Sequence, residues 1–103
     1  MSEYHIEIDE ALMDIMPSFI ELTNKDMESL ENSMNSGDWG AVKAVTHTLK
    51  GDSGGYGFME MSDIAKELEE YAESGDGAKC IELWGKLKAY WTAVQAEFAK
   101  ISV

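Results

Sequence analysis

The sequence predicts an all-α protein, an antiparallel up-down-up-down four-helix bundle with a short N-terminal capping helix. The single proline and the glycines, which are grouped except for Gly85, divide the 103 residues into long glycine-poor segments. Within these segments, apolar residues recur at spacings of three and four, the period of an amphipathic helix. A chain of this length folds around one hydrophobic core, so residues 1–103 are expected to form one domain.

The first bundle helix is predicted over residues 17–36. Pro17 fits the first turn of a helix, where its missing N–H has no intrahelical partner, and Gly37 is a natural end. Residues 9–16 predict a brief helix that lies across the bundle as a cap. Ahead of it, apolar and polar residues alternate over too short a stretch to predict a strand. The stripe of the first helix, mostly at spacings of three and four, consists of Phe19, Ile20, Thr23, Met27, Leu30 and Met34.

The second helix is predicted over residues 38–56, because Asp38 is a good N-cap and Gly57 is a natural stop. Its apolar positions are Val42, Val45, Leu49 and Tyr56. On a helical wheel these four fall between about 160° and 220° from His47. His47 is therefore expected to point away from the core.

The third and fourth helices are predicted over residues 59–74 and 78–101, with a Gly-Asp-Gly turn between them. The third has an apolar stripe at Met61, Ile64, Leu68 and Tyr71. The fourth has the most regular stripe, at Cys80, Trp84, Leu87, Trp91, Val94, Phe98 and Ile101. Because Cys80 belongs to that stripe, it is expected to be a buried hydrophobic residue and not a nucleophile.

The composition excludes several functions. Twenty acidic residues against eight lysines give a net charge of −12, and such a surface repels nucleic acid and anionic bilayers. Cys80 is the single cysteine and cannot form an internal disulfide. No apolar run approaches the roughly 20 residues of a membrane span. We expect a cytoplasmic protein that binds neither nucleic acid nor membrane.

The outward face of the second helix groups a histidine with lysines and glycines. Within about 60° of His47 on the wheel lie Lys43, Lys50, Gly51 and Gly54. Residues 39–50 contain no carboxylate in an otherwise acidic chain, so a positive or neutral local field is expected. An isolated histidine would be interpreted as a solvated side chain, but these neighbours favour a functional site.

This grouping suits phosphoryl transfer. A neutral imidazole, whose unperturbed pKa is about 6.5, is a nucleophile near pH 7. The resulting phosphohistidine carries nearly two negative charges, which Lys50 and Lys43 are placed to neutralise by charge-assisted hydrogen bonds. Glycine inside a helix costs about 1 kcal/mol relative to alanine. Gly51 and Gly54 are therefore expected to keep the face flat for an approaching protein.

The same residues resemble histidine-containing phosphotransfer (HPt) domains. The run HTLKGDSGGYGF, from His47 to Phe58, resembles the His-x-x-Lys-Gly signature of that family with its further glycine. The Gly37-Asp38 turn, the Leu68-Glu69 pair and the opening from Asp9 to Phe19 also resemble the family. The resemblance therefore covers most of the chain.

The resemblance implies a carrier whose His47 accepts a phosphoryl group from a receiver-domain aspartyl phosphate or a kinase. The kinase would be a hybrid or chemotaxis-type histidine kinase, and the group would pass on to a response-regulator receiver domain. Lys50 would be the charge partner, and Gly51 and Gly54 the clearance positions. Such domains do not hydrolyse ATP and hold no cofactor or metal of their own, since the magnesium ion of the transfer belongs to the receiver.

Partner selection is expected from residues around His47. These are Trp39, Lys43 and Asp52, together with the two glycines. Asp52 stands where the family often has a small residue, and the wheel places it beside the site, not facing the phosphate. A self-contained bundle favours a monomer, and the initial Met favours a complete chain.

Other interpretations fit less well. An EF-hand calcium loop starting at Asp52 would lack ligand oxygens at Gly54 and Tyr56. A haem or di-metal site needs inward histidines, and neither His5 nor His47 falls on an apolar stripe. The acidic cluster Glu67, Glu69, Glu70 and Glu73 is expected to be a solvated face. The alternative kept open is an adaptor that binds a receiver or kinase without transferring phosphate, although the intact His47 and Lys50 argue against it.

Overall fold

The computed structural model describes residues 4–102, and that part of the chain is an all-α bundle without a β-strand. Its helices are α1 (Met16–Ser36), α2 (Trp39–Gly55), α3 (Met59–Ser74) and α4 (Gly77–Ile101). Each end lies within one residue of its predicted position. The predicted fold class is confirmed.

Short turns with clear sequence causes separate the helices. Gly37 and Gly75 adopt the left-handed backbone conformation, with φ values of 69° and 74°, and end α1 and α3. The carboxylates of Asp38 and Asp76 then cap α2 and α4 by accepting backbone N–H hydrogen bonds at 3.1 Å. Each turn reverses the chain direction, which produces the antiparallel order.

Each helix packs against its neighbours in sequence, and α1 also contacts α4. At one end of the core the Phe19 ring stacks on Tyr56, with 4.0 Å between ring centroids, and meets Trp91 edge-on at 5.6 Å. The indole Nε1 of Trp91 donates a 2.8 Å hydrogen bond to Oδ1 of Asn24, which ties α4 to α1. Within residues 4–102, no helix is long and apolar enough to cross a membrane.

The predicted N-terminal helix over residues 9–16 is wrong in extent. Only a 3₁₀ turn over Glu10–Leu12 forms, and Met16 already belongs to α1. Leu12 is only half-buried and Ile15 is exposed, so this segment has no packed apolar face that would stabilise a longer helix. Ahead of the turn, Ile6 is buried and Tyr4 packs edge-on against Tyr90, with 5.1 Å between ring centroids.

The buried face of α2 is turned towards α3 relative to the prediction. Val42 and Leu49 are buried as expected, whereas Val45 and Tyr56 are only half-buried. Thr46 and Ser53 are fully buried in their place. Their hydroxyls donate to the carbonyls of Val42 and Leu49 one turn earlier, so they enter the core with satisfied hydrogen bonds.

Candidate functional site

His47 projects from the outer face of α2, as predicted, with 70% of its side chain exposed. The core positions Thr46 and Leu49 hold the opposite face of this turn in the bundle. The imidazole Nδ1 lies 2.9 Å from Oε2 of Glu69 on α3. One ring nitrogen is therefore occupied by a carboxylate, and Nε2 is left for chemistry.

Glu69 joins His47 and Lys50. Its second carboxylate oxygen, Oε1, accepts a 2.9 Å hydrogen bond from Nζ of Lys50. These contacts, that of Lys50 first and then that of His47, lower the pKa of Glu69 below its ordinary 4.5, although burial opposes them. An ionised carboxylate only accepts hydrogen bonds, so the proton in the contact to His47 belongs to Nδ1. The Nε2 atom of the neutral imidazole then carries the free lone pair.

The predicted solvated face of glutamates on α3 is therefore wrong at Glu69. Only 14% of the Glu69 side chain is exposed, because it lies against α2. Glu73, one turn further on, is exposed but forms a 3.2 Å ion pair with Nζ of Lys43. Both lysines beside His47 are thus matched by carboxylates of α3, so their charge does not make the local field strongly positive.

The two glycines predicted as clearance positions have different surroundings. A Cβ at Gly51 would meet nothing within 4 Å, so this position is open surface beside His47. A Cβ at Gly54 would lie 3.4 Å from Oγ of Ser62, so α3 approaches α2 closely there. Ser62 also donates a 2.9 Å hydrogen bond to the carbonyl of Lys50. Gly54 therefore supports the packing of α3 that brings Glu69 to His47.

Asp52 and Trp39 lie away from the imidazole. Asp52 is exposed on the edge of α2 nearest α1, where its charge adds to burial in raising the pKa of Asp26. Trp39 begins α2, about 12 Å along the helix axis from His47. Its indole is half-buried against the start of α4, where a Cβ on Gly77 would lie 2.9 Å from the ring. Of these two residues, Asp52 lies nearer to the histidine along α2.

The other candidate groups do not form a second site in residues 4–102. Cys80 is fully buried, as predicted, and burial raises the pKa of its thiol, with Asp76 adding to the effect. His5 is exposed and pairs with Glu7 at 3.1 Å. No group of three or more His, Cys, Asp or Glu side chains that suits a metal ion occurs among the described residues.

The sequence interpretation noted the Leu68-Glu69 pair only as part of the resemblance and missed the contacts of Glu69 with His47 and Lys50. Glu69 directly follows the core residue Leu68, so a helical wheel puts it about 100° from that position, at the edge of the buried face. A carboxylate at such an edge needs a cation from a neighbouring helix. Lys43 and Lys50 of α2 are such cations, so the sequence did contain a signal that could have paired Glu69 with α2.

The Hpt domain family model matches residues 14–97 of the chain. No curated protein and no solved structure gives a match. The matched segment contains α2 and α3 in full, with His47, Lys50 and Glu69. With most of the 103 residues matched and a four-helix bundle observed, the chain belongs to the Hpt domain family.

Proposed function

We propose that this protein is a histidine phosphotransfer carrier of a two-component phosphorelay, with His47 as its phosphoacceptor. Hpt domains serve as phosphocarriers in such relays and are not kinases themselves. The observation that carries the proposal for this residue is the exposed imidazole held at Nδ1 by Glu69 beside Lys50. This arrangement presents one nucleophilic nitrogen to solvent in a fixed orientation.

The transfer step follows from that orientation. The Nε2 lone pair attacks the phosphorus of an aspartyl phosphate on the partner, and the bond from phosphorus to the carboxylate oxygen breaks. The released carboxylate keeps the electron pair of that bond. The imidazole gains positive charge, its Nδ1 proton stays in the hydrogen bond to Glu69, and the carboxylate of Glu69 stabilises that charge. Transfer to the next receiver is the same step reversed.

Lys50 is positioned to serve the phosphorylated form. It lies one turn beyond His47 on α2, and its ammonium has three donors, of which Glu69 takes one in the structure. The remaining donors are available to a phosphoryl oxygen on Nε2. Lys43 lies one turn before His47 and would have to divide its charge between Glu73 and the phosphate.

The partners follow from the chemistry that the transfer needs. We propose that the magnesium ion and the acidic cluster that activate the aspartyl phosphate belong to a response-regulator receiver domain. The phosphoryl group enters from such a receiver or from a hybrid or chemotaxis-type histidine kinase. This chain supplies the nucleophile, its orientation and one cationic side chain, and it needs no cofactor of its own for those roles.

Phosphoryl transfer from radiolabelled phospho-receivers tests the proposal. We expect the wild-type protein to acquire label that is acid-labile and alkali-stable, and we expect His47→Gln to acquire none. Because His47 is exposed, the free energy of unfolding of this variant should stay within about 0.5 kcal/mol of wild type. His5→Gln is the matched control and should accept label normally.

The same experiment separates the carrier from the non-transferring adaptor. Receivers that bind the wild-type protein without labelling it would favour the adaptor and overturn the carrier. Label that persists in His47→Gln would assign the chemistry to another residue. A large loss of stability in that variant would mean that His47 supports the fold, contrary to its exposure.

A further inference from the structure

The surface around His47 is asymmetric in charge and in apolar exposure. On the α3 side, the two lysines of α2 are matched by carboxylates. Across the outer face of α2, from Ala44 to Gly55, the exposed positions between His47 and α1 hold nothing larger than threonine. On the α1 side lie two carboxylates, Asp26 and Asp52. In the described part of the chain, neither of them forms an ion pair.

Two large apolar side chains are exposed on this same side. Asn24 faces α4 through its hydrogen bond with Trp91, and Asp26, about 160° away from it on the α1 wheel, lies on the α2 side. The stacking of Phe19 on Tyr56 sets the antiparallel register of α1 and α2, which puts Asp26 about one helical turn from the level of Asp52. On the α1 wheel, Leu22 lies about 40° from Asp26 and one turn earlier. Ile15 is the N-cap residue immediately before α1, and its backbone is still in the right-handed helical region. The exposed fractions of Leu22 and Ile15 are 59% and 46%.

The α1–α2 edge is defined here as Ile15, Leu22, Asp26 and Asp52. It adjoins the flat face that leads to His47, so a protein that reaches Nε2 also covers this edge. Docking at an interface removes water from such side chains. Apolar groups gain from that removal, but two neighbouring carboxylates lose hydration and repel each other unless a cation joins them.

We propose that the α1–α2 edge selects the receiver partner, by accepting an apolar side chain against Leu22 and a lysine or arginine between Asp26 and Asp52. This inference rests on the proposed function, because the receiver is the protein that must reach His47. The occupant is a receiver whose surface beside its phosphoacceptor aspartate is basic. A receiver that is acidic there would place a third carboxylate against the pair and be rejected.

The experiment compares two groups of purified receiver domains, one basic and one acidic beside the phosphoacceptor aspartate. The variant is Asp26→Asn/Asp52→Asn. The matched control is Glu28→Gln/Glu31→Gln, which removes the same charge from positions of α1 more than about 100° away from Asp26 on the wheel. Measured quantities are kcat/KM for transfer from each phospho-receiver and Kd for each unphosphorylated receiver.

We expect basic receivers to transfer to the wild-type protein with higher kcat/KM than acidic ones. The Asp26→Asn/Asp52→Asn variant should lose about tenfold in kcat/KM and in affinity with basic receivers, as expected for two rim ion pairs. The control should change these values less than twofold. Leu22→Ala should weaken both groups, because its apolar contact does not depend on receiver charge.

Equal losses in the variant and the control would overturn the inference, since only the net charge of the chain would then matter. Retained preference for basic receivers in the Asp26→Asn/Asp52→Asn variant would also overturn it. A failure of the proposed function would give a different result: basic receivers would bind the wild-type protein, but no phosphoryl group would be transferred to it. In that case the Kd values alone test whether the α1–α2 edge is the docking surface. If no basic receiver binds, the inference about this edge is overturned.

Discussion

The Nδ1 atom of His47 and the Oε2 atom of Glu69 lie 2.9 Å apart and join α2 to α3 across 22 positions of the sequence. The contact fixes the ring, because Glu69 is held in turn by Lys50 and is itself mostly buried. A histidine restrained in this way already presents Nε2, so little side-chain conformational entropy is lost at the moment of transfer. Glu69 is thus a positioning residue for the proposed reaction.

Glu69→Gln should slow phosphoryl acceptance about tenfold or more. The variant loses the charge that stabilises the developing imidazolium, which is worth more than a neutral hydrogen bond. Single-turnover transfer from a phospho-receiver measures the rate, and Glu70→Gln on the exposed face of α3 is the control. Equal rates in the two variants would remove Glu69 from the mechanism.

The stabilising effect of Glu69 should depend on pH. Its pKa is lower in the folded chain than the ordinary 4.5, so the folded state binds its proton more weakly than the unfolded state does. The contribution, about 1 kcal/mol for two partly exposed charged contacts, is therefore present above pH 4.5 and is lost as pH falls through the folded pKa. Urea unfolding of wild type and Glu69→Gln should differ at pH 7 and converge in acid. A difference that does not change with pH would contradict this assignment.

The contribution of Asp26 to stability should depend on pH in the opposite direction. Burial, with the charge of Asp52 in addition, raises its pKa above the ordinary 3.8, so the folded state binds this proton more tightly than the unfolded state. Stability is then lost as pH rises above 3.8, and Asp26→Asn should be more stable than wild type at pH 7 by up to about 1 kcal/mol. Below that pH the two proteins should become equal in stability. A less stable variant at pH 7 would show that the carboxylate has a favourable partner in solution.

Gly51→Leu should separate transfer from folding. A side chain at this position meets nothing within 4 Å and replaces a poor helix former, so stability should rise by about 0.5–1 kcal/mol. Transfer from a receiver should slow, because the added side chain lies on the face that the receiver must cover. Gly85→Leu is the control, since it is equally open inside α4 and should not affect transfer. Unimpaired transfer in Gly51→Leu would refute the clearance role.

The helices were predictable from local sequence because residues at their ends signal where they begin and end. Gly37 and Gly75 supply the left-handed backbone, and Asp38 and Asp76 supply the caps, all within a few residues of the ends that they determine. The N-terminal helix was predicted too long for a different reason. Its apolar spacing suggested a helix, but Leu12 is only half-buried and Ile15 is exposed, so core packing does not extend the turn at Glu10–Leu12.

Only the part of the site that lies on α2 was predictable from the sequence, because the rest depends on how α3 packs against α2. His47, Lys50 and Gly51 share one face of one helix, and their spacing is visible in the sequence. The contact of Glu69 with His47 depends on how α2 and α3 are rotated against each other, and the buried face of α2 includes Thr46 and Ser53, whose hydroxyls are satisfied within α2. A hydrophobicity pattern counts Thr46 and Ser53 as polar, so the buried face that it predicts for α2 is rotated slightly away from α3.

Ring-nitrogen NMR of the protein labelled with ¹⁵N-histidine, recorded before and after phosphorylation by a phospho-receiver, tests the central claim most directly. We predict an Nδ1-protonated His47 beforehand and a phosphorus bond at Nε2 of His47 afterwards, with His5 unchanged. A phosphorus bond at Nδ1, or on His5, would contradict the arrangement in which Glu69 holds one nitrogen of His47 and leaves the other to react.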